Sequence, residues 1–119
     1  MTPFGLFMRK LRLEQGLLLK DMADSMGVSS AYLSALEHGK KGTPKPEFVS
    51  ALEAKLKLSV AQKAELRDAV RNSATQVAIP SKVTPLAFET AHAFARMLPD
   101  LSERQLREMQ RIFDDKDES

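Results

Sequence analysis

The chain has 119 residues, 43% of them apolar and 29% charged, which fits one compact domain or a small domain with an appendage. It has no cysteine, which excludes disulfides, thiolate metal sites and thiol catalysis. It also has no apolar run of about eighteen residues and no basic-then-apolar leader, so a soluble cytoplasmic protein without membrane contact is expected.

The net charge of +2 is too small to argue for a polyanionic partner, but its distribution is uneven. Residues 1–58 carry +3 and residues 59–119 carry −1. The acidic end at 114–119, with Asp114, Asp115, Asp117 and Glu118, reads as a solvated tail.

Thr2-Pro3 has the form of an N-cap followed by a proline at the first helical position. Phe4, Phe7, Met8 and Leu11 then repeat at i, i+3, i+4, i+7, with Arg9, Lys10 and Arg12 on a solvated face and Gly16 as C-cap. Leu19, Met22, Ala23 and Met26 give a second, short helix that stops at Gly27. A third helix starts at the N-cap Ser29, with Val28 placed to staple onto Leu33. Its predicted inner side is Tyr32, Leu33 and Leu36, and its outer side Ser30, Ala31, Ser34 and Ala35.

The segment from His38 to Pro46 is punctuated by glycine and proline and carries Lys40, Lys41 and Lys45 without an acid. Pro46 opens a fourth helix over Phe48, Val49, Leu52 and Leu56. Ser59 and Gln62 have capping-box spacing for a fifth, running to about Asn72 and burying Leu66, Ala69 and Val70.

Residues 73–83 read as a linker, in which Thr75–Ile79 is β-prone and could form a short strand before Pro80. Thr84-Pro85 repeats the cap-and-proline start, with Phe88, Ala91, His92 and Ala95 along one side of a sixth helix that ends by Pro99. Ser102 and Gln105 form another capping box, with Leu101 and Leu106 as staple and Leu106, Met109 and Phe113 at helical spacing. The unit 84–113 is thus expected to be a helical hairpin. So short a unit cannot bury enough surface to fold alone and must pack on the first domain or on another copy of itself; for the second case Phe88, Phe94, Leu106, Met109 and Phe113 are the expected dimerisation residues.

Two short helices joined through a glycine, the second restarting on a serine cap, are the pattern in which the second helix enters a major groove. A slim leading edge of Ser30, Ala31 and Ser34 suits such insertion, and the lysine loop behind it is placed for phosphate. The stretch from Gly16 to Lys41, GLLLKDMADSMGVSSAYLSALEHGKK, resembles the helix-turn-helix of the Xre, or Cro and phage-repressor-like, family. Ala23, Gly27, Val28-Ser29, Leu33 and Glu37-His38-Gly39-Lys40 fall where that family expects them, and the likeness covers about residues 4–72.

The resemblance implies an all-α, five-helix repressor-like DNA-binding domain at 1–72, operator binding as a homodimer, and contacts from Ser29 to Ala35. Two departures stand out. Leu18-Leu19 replaces the Thr-Gln that usually opens the second helix, and Ser30-Ala31 stands where glutamine is frequent. Without Arg, Gln or Asn on that face, bidentate base contacts, each worth roughly 1–3 kcal/mol of discrimination, are missing. Selectivity would then rest on hydroxyls, thymine methyls, water and DNA shape.

The DNA-binding residues expected are therefore Ser29, Ser30, Ala31, Ser34, Ala35, Lys40, Lys41 and Lys45. Tyr32 and Glu37 are read as structural, the tyrosine at the core edge and the glutamate bonding nearby backbone. His38 and His92 are far apart and no serine has a histidine–acid partner set, so neither a metal site, a cofactor nor an enzyme active site is expected. The leading functional expectation is a dimeric repressor or autoregulator on a pseudopalindromic operator. An antitoxin-like protein that neutralises a partner such as a toxin, and a helical adaptor without DNA binding, are the alternatives.

Overall fold

The computed structural model describes residues 1–115. Its described residues are all-helical: α1 (Pro3–Gln15), α2 (Leu19–Met26), α3 (Ser30–Glu37), α4 (Pro46–Lys55), α5 (Val60–Arg71), α6 (Pro85–Met97) and α7 (Glu103–Asp114), with a 3-10 turn at Leu98–Asp100. The chain separates into two units, Met1–Val77 and a second from Ala78 onward. No described helix is long and apolar enough to cross a membrane.

The first unit is built on the predicted stripes. Phe4, Met8 and Leu11 of α1 meet Met22 and Ala23 of α2, Leu33 and Leu36 of α3, Leu52 of α4 and Leu66 of α5 in one buried cluster. Phe7, Leu19, Val28, Phe48, Leu56 and Val70 pack around it. The caps also form as expected. Thr2 Oγ1 accepts from the Gly5 N–H at 3.1 Å, Ser29 Oγ from Tyr32 at 3.0 Å and Ser59 Oγ from Gln62 at 3.1 Å. Each satisfies an otherwise orphan amide of the first turn.

Polar groups cross-link the helices where the sequence showed only charge. Glu37 is 2% exposed, and its carboxylate is ion-paired with Arg12, whose side chain is 12% exposed. Arg12 is therefore not on the solvated face of α1, and Glu37 bonds a guanidinium rather than nearby backbone. The backbone carbonyl of Glu37 accepts from Thr2 Oγ1 at 2.9 Å and from Thr2 N at 3.2 Å. α1 passes so close to this carbonyl that a Cβ on Gly5 would lie 2.1 Å from it, which makes Gly5 a packing requirement.

Ser73 is buried and belongs to this unit, although the sequence placed it in the linker. Its hydroxyl donates to Ala69 O at 2.6 Å and accepts from Phe4 N at 2.9 Å, tying α5 to the start of α1. The β-prone stretch Thr75–Ile79 forms no strand, since no neighbouring strand exists among the described residues to pair with it.

In the second unit, Ser102 and Gln105 exchange both capping-box bonds at 2.9 and 3.1 Å. α6 and α7 bury no residue fully. Of the stripe expected on α6, Phe88, His92 and Ala95 are exposed and Ala91 is half-buried; Ala91 and half-buried Phe94 line an open groove together with the exposed Leu86 and Met97. α7 continues through Asp114, one residue into the expected tail, whose end at 116–119 lies outside the described residues.

Two outcomes follow for stability. Glu37→Ala leaves a nearly buried guanidinium unpaired and should cost about 3 kcal/mol in urea unfolding, with an unchanged m-value. The second concerns Glu53, which receives Arg67 Nε at 3.1 Å and Nη2 at 2.7 Å. The Arg67 hydrogen bond, aided by the charges of Arg67 and Lys63 and opposed by burial, holds the Glu53 carboxyl below its ordinary value of 4.5. Folding thus favours the ionised form. That contribution is complete above the ordinary value and is lost as pH falls through the lowered one. Thermal melts taken downward from about pH 5 should show a smaller loss of stability for Glu53→Gln than for the natural chain.

Candidate nucleic-acid interface

α2 ends because Gly27 takes φ 70°, in the left-handed region, and its amide returns to the carbonyl of Asp24 at 3.2 Å. Val28 turns inward against the core, and Ser29, extended at φ −76° and ψ 154°, caps α3. A three-residue connection thus sets two eight-residue helices at a fixed angle. Leu18 offers α2 no side-chain cap, as its apolar character predicts. The Asp21 carboxylate compensates by accepting the Leu18 N–H at 2.9 Å.

α3 buries Leu33, Leu36 and Glu37 and turns the rest outward. Ser29, Ser30 and Ala31 are exposed, and Ser34 and Ala35 are half-buried on the same side. Tyr32 is 38% exposed and joins this surface instead of the inner side predicted for it. One helical step of 100° before Leu33 puts Tyr32 at the rim of the core. No charged side chain stands on the exposed part of α3 before His38, so the leading edge remains slim apart from the tyrosine ring.

His38 closes the helix, and its Nδ1 donates to Ser34 O at 2.8 Å, since a carbonyl can only accept. Lys40, Lys41 and Lys45 are all exposed on the loop that follows. A single bridge between Lys40 and Gly42 shapes that loop, and Pro44 is buried beneath it. The eight predicted contact residues therefore lie on one continuous stretch of chain, from the α3 cap through the lysine loop. Sequence reasoning missed two supports of this stretch. The buried Arg12–Glu37 pair anchors the C-terminal end of α3, and Lys55 Nζ donates to Ser25 O at 2.8 Å, bracing the end of α2. A glycine inside an apolar helical stripe, as at Gly5, was the signal that could have marked the close approach.

Residues 8–62 match the helix-turn-helix family. Over 58 residues, 49% of the chain, the protein is 45% identical to the uncharacterized HTH-type transcriptional regulator RghRB of Bacillus subtilis. Over a segment of the same length it is 41% identical to the HTH-type transcriptional repressor RghR of the same organism. The matches cover 42% and 43% of those proteins, so the chain spans under half the length of the curated relatives it matches. No solved structure matches.

Gly27→Ala tests the turn directly, because nothing lies within 4 Å of the added methyl and only the left-handed backbone resists it. A loss of about 1–2 kcal/mol in thermal unfolding is expected. The glycine turn, the serine-capped α3, the core behind them and the match in sequence agree: the segment from Met8 to Gln62 is similar to the helix-turn-helix family, as its resemblance to the Xre or Cro-like form implies.

Proposed function

We propose that this chain is a sequence-specific double-stranded-DNA-binding transcriptional regulator, acting as a homodimeric repressor or autoregulator on a pseudopalindromic operator. The observation that carries this reading is the outward face of α3, serine-capped and slim, at the head of a lysine loop and rigidly backed by the core. α3 would enter the major groove with Ser29, Ser30, Ala31, Ser34 and Ala35 against base edges and backbone. Lys40, Lys41 and Lys45 would neutralise phosphates. The repressor role is supported by the likeness to RghR, and two copies follow from the two-fold symmetry of operators read by such helices.

The absence of Arg, Gln and Asn from this face gives the proposed reader a definite character. Recognition would depend on small-group contacts and on the deformability of the DNA rather than on bidentate pairs. Low intrinsic selectivity per half-site makes cooperation between two half-sites more valuable.

A mobility-shift assay on duplex from upstream of the chain's own gene tests the reading. The natural chain should bind with an affinity that falls steeply with salt. Ser34→Glu, which sets a carboxylate at the groove face, should bind at least about tenfold more weakly while melting like the natural chain. Lys40→Glu with Lys41→Glu should lower the slope of log affinity against log salt by about 2. Binding that is absent, or indifferent to salt and to both variants, would point to a helical adaptor instead.

A further inference from the structure

α6 and α7 line an open groove of about 980 Å³, bordered by Leu86, Ala91, Phe94, Met97, Met109 and Phe113 among others. Taking a helix as a cylinder about 10 Å wide that rises 1.5 Å per residue, this is the volume of roughly eight helical residues. Loose solvent is a poor occupant for so large an apolar space. The rims are apolar as well: Leu86, Ile112 and Phe113 are 69%, 68% and 72% exposed. Each copy of this unit therefore presents both a socket and the protrusions to fill one, as an isologous two-fold contact requires.

The charges beside the groove favour a second copy of this chain over an unrelated partner. Glu108 and Arg111 of α7 and its C-cap residue Asp115 lie together beside Ile112. Arg104 extends the same row at helical spacing and bonds Glu108 at 2.8 Å, a weak exposed pair that leaves both groups able to bridge. In chain order the row reads plus, minus, plus, minus over Arg104, Glu108, Arg111 and Asp115. Reversed, it reads minus, plus, minus, plus. Antiparallel α7 helices thus set Arg104 against Asp115 of the partner subunit and Glu108 against Arg111 of the partner subunit. A parallel pairing in register would set like against like.

From the groove, its protruding rim and this row, we infer that α6 and α7 are the homodimer interface, closing as a four-helix arrangement in which the two α7 helices run antiparallel. This rests on the homodimer of the proposed function and gives it an address. It also revises the expected interface residues: Phe94, Met109 and Phe113 remain, Leu86, Met97 and Ile112 join them, and Phe88 and Leu106 do not line the groove.

Sedimentation velocity of the full chain without DNA reads the interface independently of operator binding. The natural chain should sediment at twice the chain mass. Ile112→Glu with Phe113→Glu should sediment as a monomer that keeps the thermal transition of the first unit. Arg104→Glu alone should weaken self-association about tenfold, and adding Asp115→Arg should restore it, because the exchanged charges face each other only in the antiparallel arrangement. A monomeric natural chain, or a dimer untouched by the changes at Ile112 and Phe113, would overturn the interface. Failure of the double charge exchange to restore association would overturn the antiparallel pairing. In any of these outcomes, a persisting shift of operator duplex would leave the DNA reading standing.

Discussion

The ion pair between Arg12 and Glu37 is the constraint on which the first unit depends. Two charges this shielded are costly to remove from water, and they are tolerated because each completes the other. The pair joins the last turn of α1 to the last residue of α3, two elements far apart in sequence. The bonds from Thr2 to the Glu37 carbonyl and the close approach of Gly5 hold the opposite end of α1 to the same point. α3 is therefore fixed from its inner side by a carboxylate, a carbonyl and Leu33 and Leu36, which frees its outer side from any structural duty beyond the serine cap.

That separation of roles is what the proposed reading needs from so modest an outer face. A helix positioned by flexible contacts would need strong base contacts to define its register. One clamped to a rigid core can use shape and backbone contact, with small side chains admitting the helix deeply. Under the proposed function the lysine loop would supply affinity without sequence information, and it follows directly after the clamped α3.

The second unit follows a different logic. Its helices are well capped and individually regular, yet none of their side chains is fully buried, so local signals suffice to form α6 and α7 but not to give them a core. A helical pair that leaves its apolar faces open derives stability from what covers it. If a second copy is that cover, as inferred above, the folding of this unit is coupled to the concentration of the chain.

The sequence by itself determined the α-helices among the described residues, because proline and serine starts, glycine stops and i, i+3, i+4 stripes are local signals that each segment carries within a few residues. The outward serines and alanines of α3 and the lysine loop were legible for the same reason. Tertiary structure decided what depends on residues meeting across the chain. Arg12 left solvent because Glu37 waits beside it, Ser73 left the linker because Phe4 N and Ala69 O converge on its hydroxyl, and Thr75–Ile79 stayed without a strand for want of a neighbour. Tyr32 came to the rim of the core and the α6 stripe stayed largely exposed, since periodicity shows that a helix has an apolar side but not which part of it the neighbours leave open.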